Sequence, residues 1–231
     1  MAALVALTLV KGDQQIFGVE GKSVLCVPKS DLDPVLLPLA DESIDLHVGS
    51  GHSPGFAFLF GSRFMRSIIS GYRIVAGFED HPYANTLSGT IGFLAPDDQA
   101  RLGSAMRARN TSDEWYSRDE CPQPSVRPLG DNRLYEVKCS PKASYSSIWR
   151  QAPDPKVAMP NPNELVVATC QNDDIHLGPY AGKSLTTCAR VVIIDGFLVD
   201  YRLQEKNLGF FLEIDSIIRD KLSEWKGNCS I

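Results

Sequence analysis

The sequence predicts an α+β fold with a mixed or mostly antiparallel sheet and two or three helices, one of them an amphipathic helix at the C-terminal end. That prediction rests on three features of the chain. Short β-branched and aromatic runs recur between glycine-rich breaks, as strands joined by turns do. Helix signals are confined to two stretches, one by its helix formers and end charges and one by apolar spacing. A hydrophobic content of 43% with 22% charged residues supplies a core and argues against global disorder.

From residue 3 to 27, "ALVALTLV", "QQIFGVEG" and "KSVLCVP" are three strand-like runs. Lys11-Gly12-Asp13 and Gly21-Lys22 separate them, which predicts a meander with tight turns. Residues 28–42 carry Pro28, Pro34 and Pro38 and read as an irregular connection. In 43–50, Ile44, Leu46 and Val48 alternate with Asp45 and His47, the period of a half-buried strand. Residues 56–78 form the most apolar part of the chain, broken by Gly61, Gly71 and Gly77, and 90–95 reads as another strand.

Residues 96–110 are rich in helix formers, with acids in the first turn and arginines in the last, as the helix dipole favours. Residues 111–131 are polar, contain Pro122, Pro124 and Pro128, and read as a loop. Strands are expected near 164–170 and 188–199. In 210–225, Phe211, Ile214, Ile217, Ile218, Leu222 and Trp225 fall on one face of a closing helix. The chain of 231 residues reads as a single domain, 1–231, with a subdivision candidate at the four prolines of 151–163.

Bulk composition narrows the function classes. Twenty-three Lys and Arg against 28 Asp and Glu give a formal charge of -5, which counts against wrapping in nucleic acid as the main activity. The N-terminal stretch is apolar but has no positive region before it, so it reads as a strand rather than a signal peptide. No window reaches the roughly 18 apolar residues of a membrane helix, so no membrane partner is expected. The six cysteines are scattered without a CxxC pair, which favours reduced thiols and a cytoplasmic location over zinc or a disulfide framework.

One short stretch carries chemistry. In "NRLYEVKCSP" (132–141) a strand would put Leu134, Glu136 and Lys138 on one face and Tyr135, Val137 and Cys139 on the other. The second face is expected to pack into the core, and the first to present an acid beside a lysine. Phosphodiester hydrolysis uses such a pair: the carboxylate holds Mg²⁺, and the lysine orients water or steadies the developing charge. "LYEVKCSP" resembles the corresponding strand of the PD-(D/E)xK nuclease superfamily, especially its lambda-exonuclease form. The resemblance implies a Mg²⁺-dependent nuclease with nucleic acid as its partner. It implies catalytic Glu136 and Lys138, and an upstream acid that completes the metal site. Asp97, Asp119 and Asp131 are the candidates for that acid, with Asp113 also in the intervening loop.

Other motifs point elsewhere. "GHSPG" (51–55) matches the nucleophile elbow GxSxG, but only His81 and His176 follow Ser53 as partners, so a glycine-rich turn is the preferred reading. "GPYAGKS" (178–184) has three residues between its glycines where a phosphate loop has four, and an apolar run follows at once where a helix is needed. "ESIDLHVGS", "GKSLTT" and "IDGF" together resemble the trimeric dUTPase and dCTP deaminase family. That resemblance implies a nucleotide-binding homotrimer using Asp45, Lys183, Ser184 and Asp195. His47 and His52 do not share a helical face as a zincin pair would. Three classes therefore stand: a metal-dependent nuclease, a dUTPase-like nucleotide-binding homo-oligomer, and a non-enzymatic structural, viral or partner-binding protein.

Overall fold

The computed structural model describes residues 6–11, 13–19, 24–33, 44–48, 51–81, 83–94, 125–130, 134–139, 144–150, 166–176, 178–227 and 229. They build a mainly β protein. Strands β1 (Ala6–Lys11), β2 (Gln14–Val19) and β3 (Val24–Pro28) form a three-stranded antiparallel meander. The remaining strands are β4 (Ile44–Val48), β5 (Gly51–Phe60), β6 (Leu87–Phe93), β7 (Ser125–Leu129), β8 (Leu134–Lys138), β9 (Tyr145–Trp149), β10 (Val166–Asp174), β11 (Ser184–Ile194) and β12 (Phe197–Gln204). These nine form one sheet in the order β4-β5-β6-β12-β11-β10-β9-β8-β7, antiparallel throughout.

The described helices are α1 (Ser62–Ile68) and α2 (Phe211–Gly227), the latter entered through a 3₁₀ segment, Glu205–Phe210. The α+β expectation is therefore corrected: sheet dominates. Two misread stretches explain the shortfall in strands. Residues 125–129 lie in the 111–131 stretch read as a loop, yet they form β7, where Pro128 is tolerated because β7 is the end strand. The expected strand 188–199 spans parts of two strands, because Asp195 (φ 49°) and Gly196 (φ 84°) make the two-residue turn between β11 and β12. The expected helix at 96–110 and all of 151–163 lie outside the described residues. Strands β9 and β10, on either side of the latter stretch, pair directly.

The core lies between the large sheet and α2 with the meander. Phe56, Phe58 and Phe60 alternate along β5 into it, and Phe17 of β2 stacks on Phe56 at 4.4 Å. From α2, Phe211, Ile214, Ile217, Ile218, Leu222 and Trp225 are all buried, the face read from the sequence. The Trp225 ring meets Phe56 edge-on at 5.7 Å, and its indole N–H donates to Asp31 Oδ2 at 3.2 Å. Lys221 reaches the same oxygen at 3.2 Å, so one carboxylate ties the turn after β3 to the last turns of the helix.

Reduced thiols are also overturned. Cys26 of β3 is bonded to Cys229 beyond α2, and Cys170 of β10 to Cys188, its register partner on β11. Cys139 is disulfide-bonded as well. Spacing along the chain hides such pairs: 203 residues separate the first two cysteines, and only folding brings them together. In the loop-entropy account, closures of 203 and 18 residues contribute about 5 and about 3 kcal/mol respectively.

Candidate functional site

The strand that carries the acid and lysine forms as expected, but the face expected outside packs inward at Leu134 and Glu136, while Val137 on the other face is buried too. Leu134 belongs to the main core, and Ile148, directly opposite Glu136 on β9, is fully buried. Because residues two apart share a face, Glu136 lies on the core side. Its side chain is only 8% exposed, whereas that of Lys138 is 29% exposed. The expectation of a charged outer face fails for the acid. Alternation reveals which residues share a face, but not which face another layer covers.

A carboxylate in that position needs compensating partners, and its own sheet supplies them. Arg127 stands opposite Glu136 in the β7–β8 register. Its Nε donates to Glu136 Oε2 at 2.9 Å, and Nη2 lies 2.9 Å from the same oxygen. Lys138 Nζ sits 3.3 Å from the other oxygen, Oε1. Arg127 Nη2 also reaches Glu205 Oε1 at 3.3 Å, at the start of the 3₁₀ segment before α2. The motif is thus a chain of alternating charges, Lys138–Glu136–Arg127–Glu205, linking two strands to the segment that leads into the helix.

This donor set does not fit Mg²⁺. A hard cation needs free carboxylate oxygens, and both oxygens of Glu136 are occupied by cationic side chains. A second carboxylate, Glu205, is shared through the same guanidinium that a metal ion would have to displace. Among the described residues no group of three His, Cys, Asp or Glu could hold a metal ion. Asp97, Asp113, Asp119 and Asp131 lie outside the described residues.

The other motifs also take ordinary places. "GHSPG" is the first half of β5, with Ser53 paired to Leu46, and the strand runs on to Phe60, so Ser53 does not stand at the strand–turn–helix of an elbow. Lys183 and Ser184 stand at one end of β11 and Asp195 just beyond the other, a separation of roughly 35 Å along an extended strand. Asp45 is four strands away from β11, roughly 19 Å across the sheet. One chain therefore does not assemble the dUTPase-like set. "IDGF" is a hairpin turn in which Asp195 and Gly196 both take positive φ.

"GPYAGKS" connects β10 to β11 and latches onto residues 75–85. Phe78 and Tyr180 stack at 5.2 Å, and His81 meets the Tyr180 ring edge-on at 4.9 Å. Lys183 Nζ lies 5.3 Å and 5.4 Å from the centroids of these two rings and donates to the Gly77 carbonyl at 2.6 Å. His81 Nδ1 accepts backbone N–H bonds from Tyr83 and Ala84, so its imidazole holds a turn. These contacts close a small satellite core around Val75, Phe78 and Ala84.

Two sets of residues were not singled out from the sequence. Arg127 was hidden in a proline-rich stretch. The other set is a buried constellation in the middle of the sheet. Arg190 of β11 donates from Nε and Nη2 to the two oxygens of Asp215 on α2, at 3.1 Å and 2.6 Å, and from Nη1 to the Val167 carbonyl at 2.9 Å. Tyr201 of β12 donates to Asp215 Oδ1 at 2.8 Å. Burial, reinforced by the Asp215 charge, pushes the Tyr201 hydroxyl far above the ordinary phenol range. Burial alone would lower the Arg190 pKa, but the Asp215 bonds and charge hold it above its usual value. No sequence periodicity signals such a set, because its members come from three elements.

Comparison with known proteins adds little. No family model matches the chain, and no curated protein matches it. Among solved structures, it is similar to an immunity protein of the Stenotrophomonas maltophilia type IV secretion system. The identity is 9%, the TM-score 0.42, and the match covers 95% of this chain and 92% of that one. At those values the likeness carries no functional argument.

Proposed function

We propose that this chain is a non-catalytic, partner-binding protein that matures in an oxidising compartment. The observation that carries the first part is the occupation of both Glu136 oxygens by Arg127 and Lys138. The acid that a nuclease would offer to Mg²⁺ serves instead to neutralise an arginine and a lysine of its own sheet. The dUTPase-like set is spread along one strand and across the sheet, and Ser53 lies within a continuous strand. A binding protein needs none of these sets.

The second part follows from the disulfides. Such bonds persist in oxidising compartments and are rare in reducing ones, which favours a setting other than the cytoplasm expected from the scattered cysteines. Among the described residues no helix is long and apolar enough to cross a membrane.

The test is incubation of the disulfide-intact protein with labelled single- and double-stranded DNA and RNA in Mg²⁺ or Mn²⁺, beside Lys138→Ala. No cleavage is expected from either protein. Metal-dependent cleavage by the wild type, lost in a folded Lys138→Ala, would restore the nuclease reading. A mobility shift in the same samples reports whether nucleic acid is bound without being cut.

A further inference from the structure

Two disulfides of this molecule sit in unlike places. Cys170 and Cys188 are buried members of the main core and face each other across β10 and β11. Cys26 is buried too, but it stands outside that core. Its neighbours Leu25 and Val27 are both core residues, so alternation turns Cys26 to the opposite face of β3. Cys229 meets it there and is only half-buried. One bond is sealed in the core. The other fastens β3 from the side away from the core, with one of its residues within reach of solvent.

The second bond also joins parts that share little backbone. The meander β1–β3 is a sheet of its own. Among the described residues its backbone links to the large sheet lie just past β3, where Leu32 bridges to Phe58 and the Asp33 N–H donates to the Ala57 carbonyl. Side chains add to these: Phe17 stacks on Phe56, and Asp31 accepts from Trp225 and Lys221. Strands β10 and β11, in contrast, keep a continuous register from Thr169 to Asp174 whether or not their cysteines are joined.

We propose that Cys26–Cys229 is a redox-sensitive clasp that fixes the N-terminal meander to the end of α2, and that a dithiol opens it while Cys170–Cys188 stays closed. A thiolate of the dithiol attacks the accessible Cys229 Sγ, the S–S bond breaks, and Cys26 leaves as a thiolate that takes up a proton. The second thiol then attacks the mixed disulfide and frees Cys229. The dithiol ends as a disulfide, and its two protons end on the two cysteines. With the clasp open, the junction keeps its non-covalent contacts and loses its covalent one. The meander therefore lifts more often from Phe56 and Trp225. The large sheet and its packing on α2 persist, because that core does not include Cys26. Such a clasp works whether or not the chain is a binding protein.

The test is stepwise reduction of the native protein with dithiothreitol, with iodoacetamide trapping free thiols and peptide mapping locating them. Cys26 and Cys229 are expected to be trapped at reductant concentrations that leave Cys170 and Cys188 unlabelled. Hydrogen exchange of the same samples should show lost protection in β2, β3 and at Asp33, retained protection in β11 and β12, and recovery on reoxidation. Cys139 is also partly exposed, so its own peptide is followed separately. The double variant Cys26→Ser/Cys229→Ser opens the clasp alone and should reproduce the exchange pattern without reductant. The reduction series starts from folded protein, so it decides the matter even where the double variant does not fold. Labelling of Cys170 and Cys188 as early as Cys26 and Cys229 would overturn the proposal. So would unchanged protection in β2 and β3, or loss of protection throughout the molecule once the clasp is reduced.

Discussion

Two acids in this molecule each hold an arginine, and they do so in different settings. Asp215 meets Arg190 between helix and sheet, with side-chain exposures of 11% and 10%. Glu136 meets Arg127 on the last pair of strands, where the acid is 8% exposed but the arginine 60%. The first pair is enclosed on both sides, carries a tyrosine hydroxyl as a third member, and locks α2 to β11 and β12. The second is a buried acid reached by cations from the rim, a lysine among them. An acid beside a basic residue is therefore no sign of catalysis by itself. What separates a reactive pair from a packed one is whether the acid keeps an oxygen free.

The contrast yields a graded set of expected effects. Asp215→Ala leaves a guanidinium enclosed without its counter-charge and should cost about 3 to 5 kcal/mol, read as a drop in the urea midpoint. Tyr201→Phe removes one donor to Asp215 while keeping the ring and should cost about 1 to 1.5 kcal/mol in the same assay. Lys138→Ala removes a partly exposed cation from a carboxylate that keeps Arg127, so less than about 1 kcal/mol should be lost.

Alkaline pH probes the buried phenols. Burial pushes the Tyr72 hydroxyl from 10.0 up to about 12, and Tyr201 is raised further in the same direction. Between these folded values and pH 10 the unfolded chain releases phenol protons that the folded chain keeps. Stability should therefore be intact below pH 10 and fall as pH rises above it. A melting temperature that stays flat from pH 9 to 12 would contradict that enclosure.

Legibility in the sequence followed the range of the interaction. The face of α2 was readable because Ile214, Ile218, Leu222 and Trp225 recur at helical spacing, and the alternation of Ile44, Leu46 and Val48 marked β4. The Asp195-Gly196 turn was equally local, yet the apolar run on both sides of it masked the break. Pro128 made β7 look like a loop, because a proline marks an end strand only once the strand order is known. The disulfides and the Arg190–Asp215–Tyr201 set depend on contacts between distant segments, which no local pattern encodes. At the candidate site, strand β8 was legible, but its sidedness was not. The covering layer and the Arg127 register that decide the fate of Glu136 come from elsewhere in the chain.

The most direct measurement is urea denaturation of wild type and Glu136→Gln, each with and without saturating Mn²⁺. If Glu136 belongs to the sheet, the variant loses about 1 to 3 kcal/mol and the metal changes neither curve. A wild type stabilised by Mn²⁺, beside a variant that is equally stable without metal but no longer responds to it, would return Glu136 to a metal site and contradict the account.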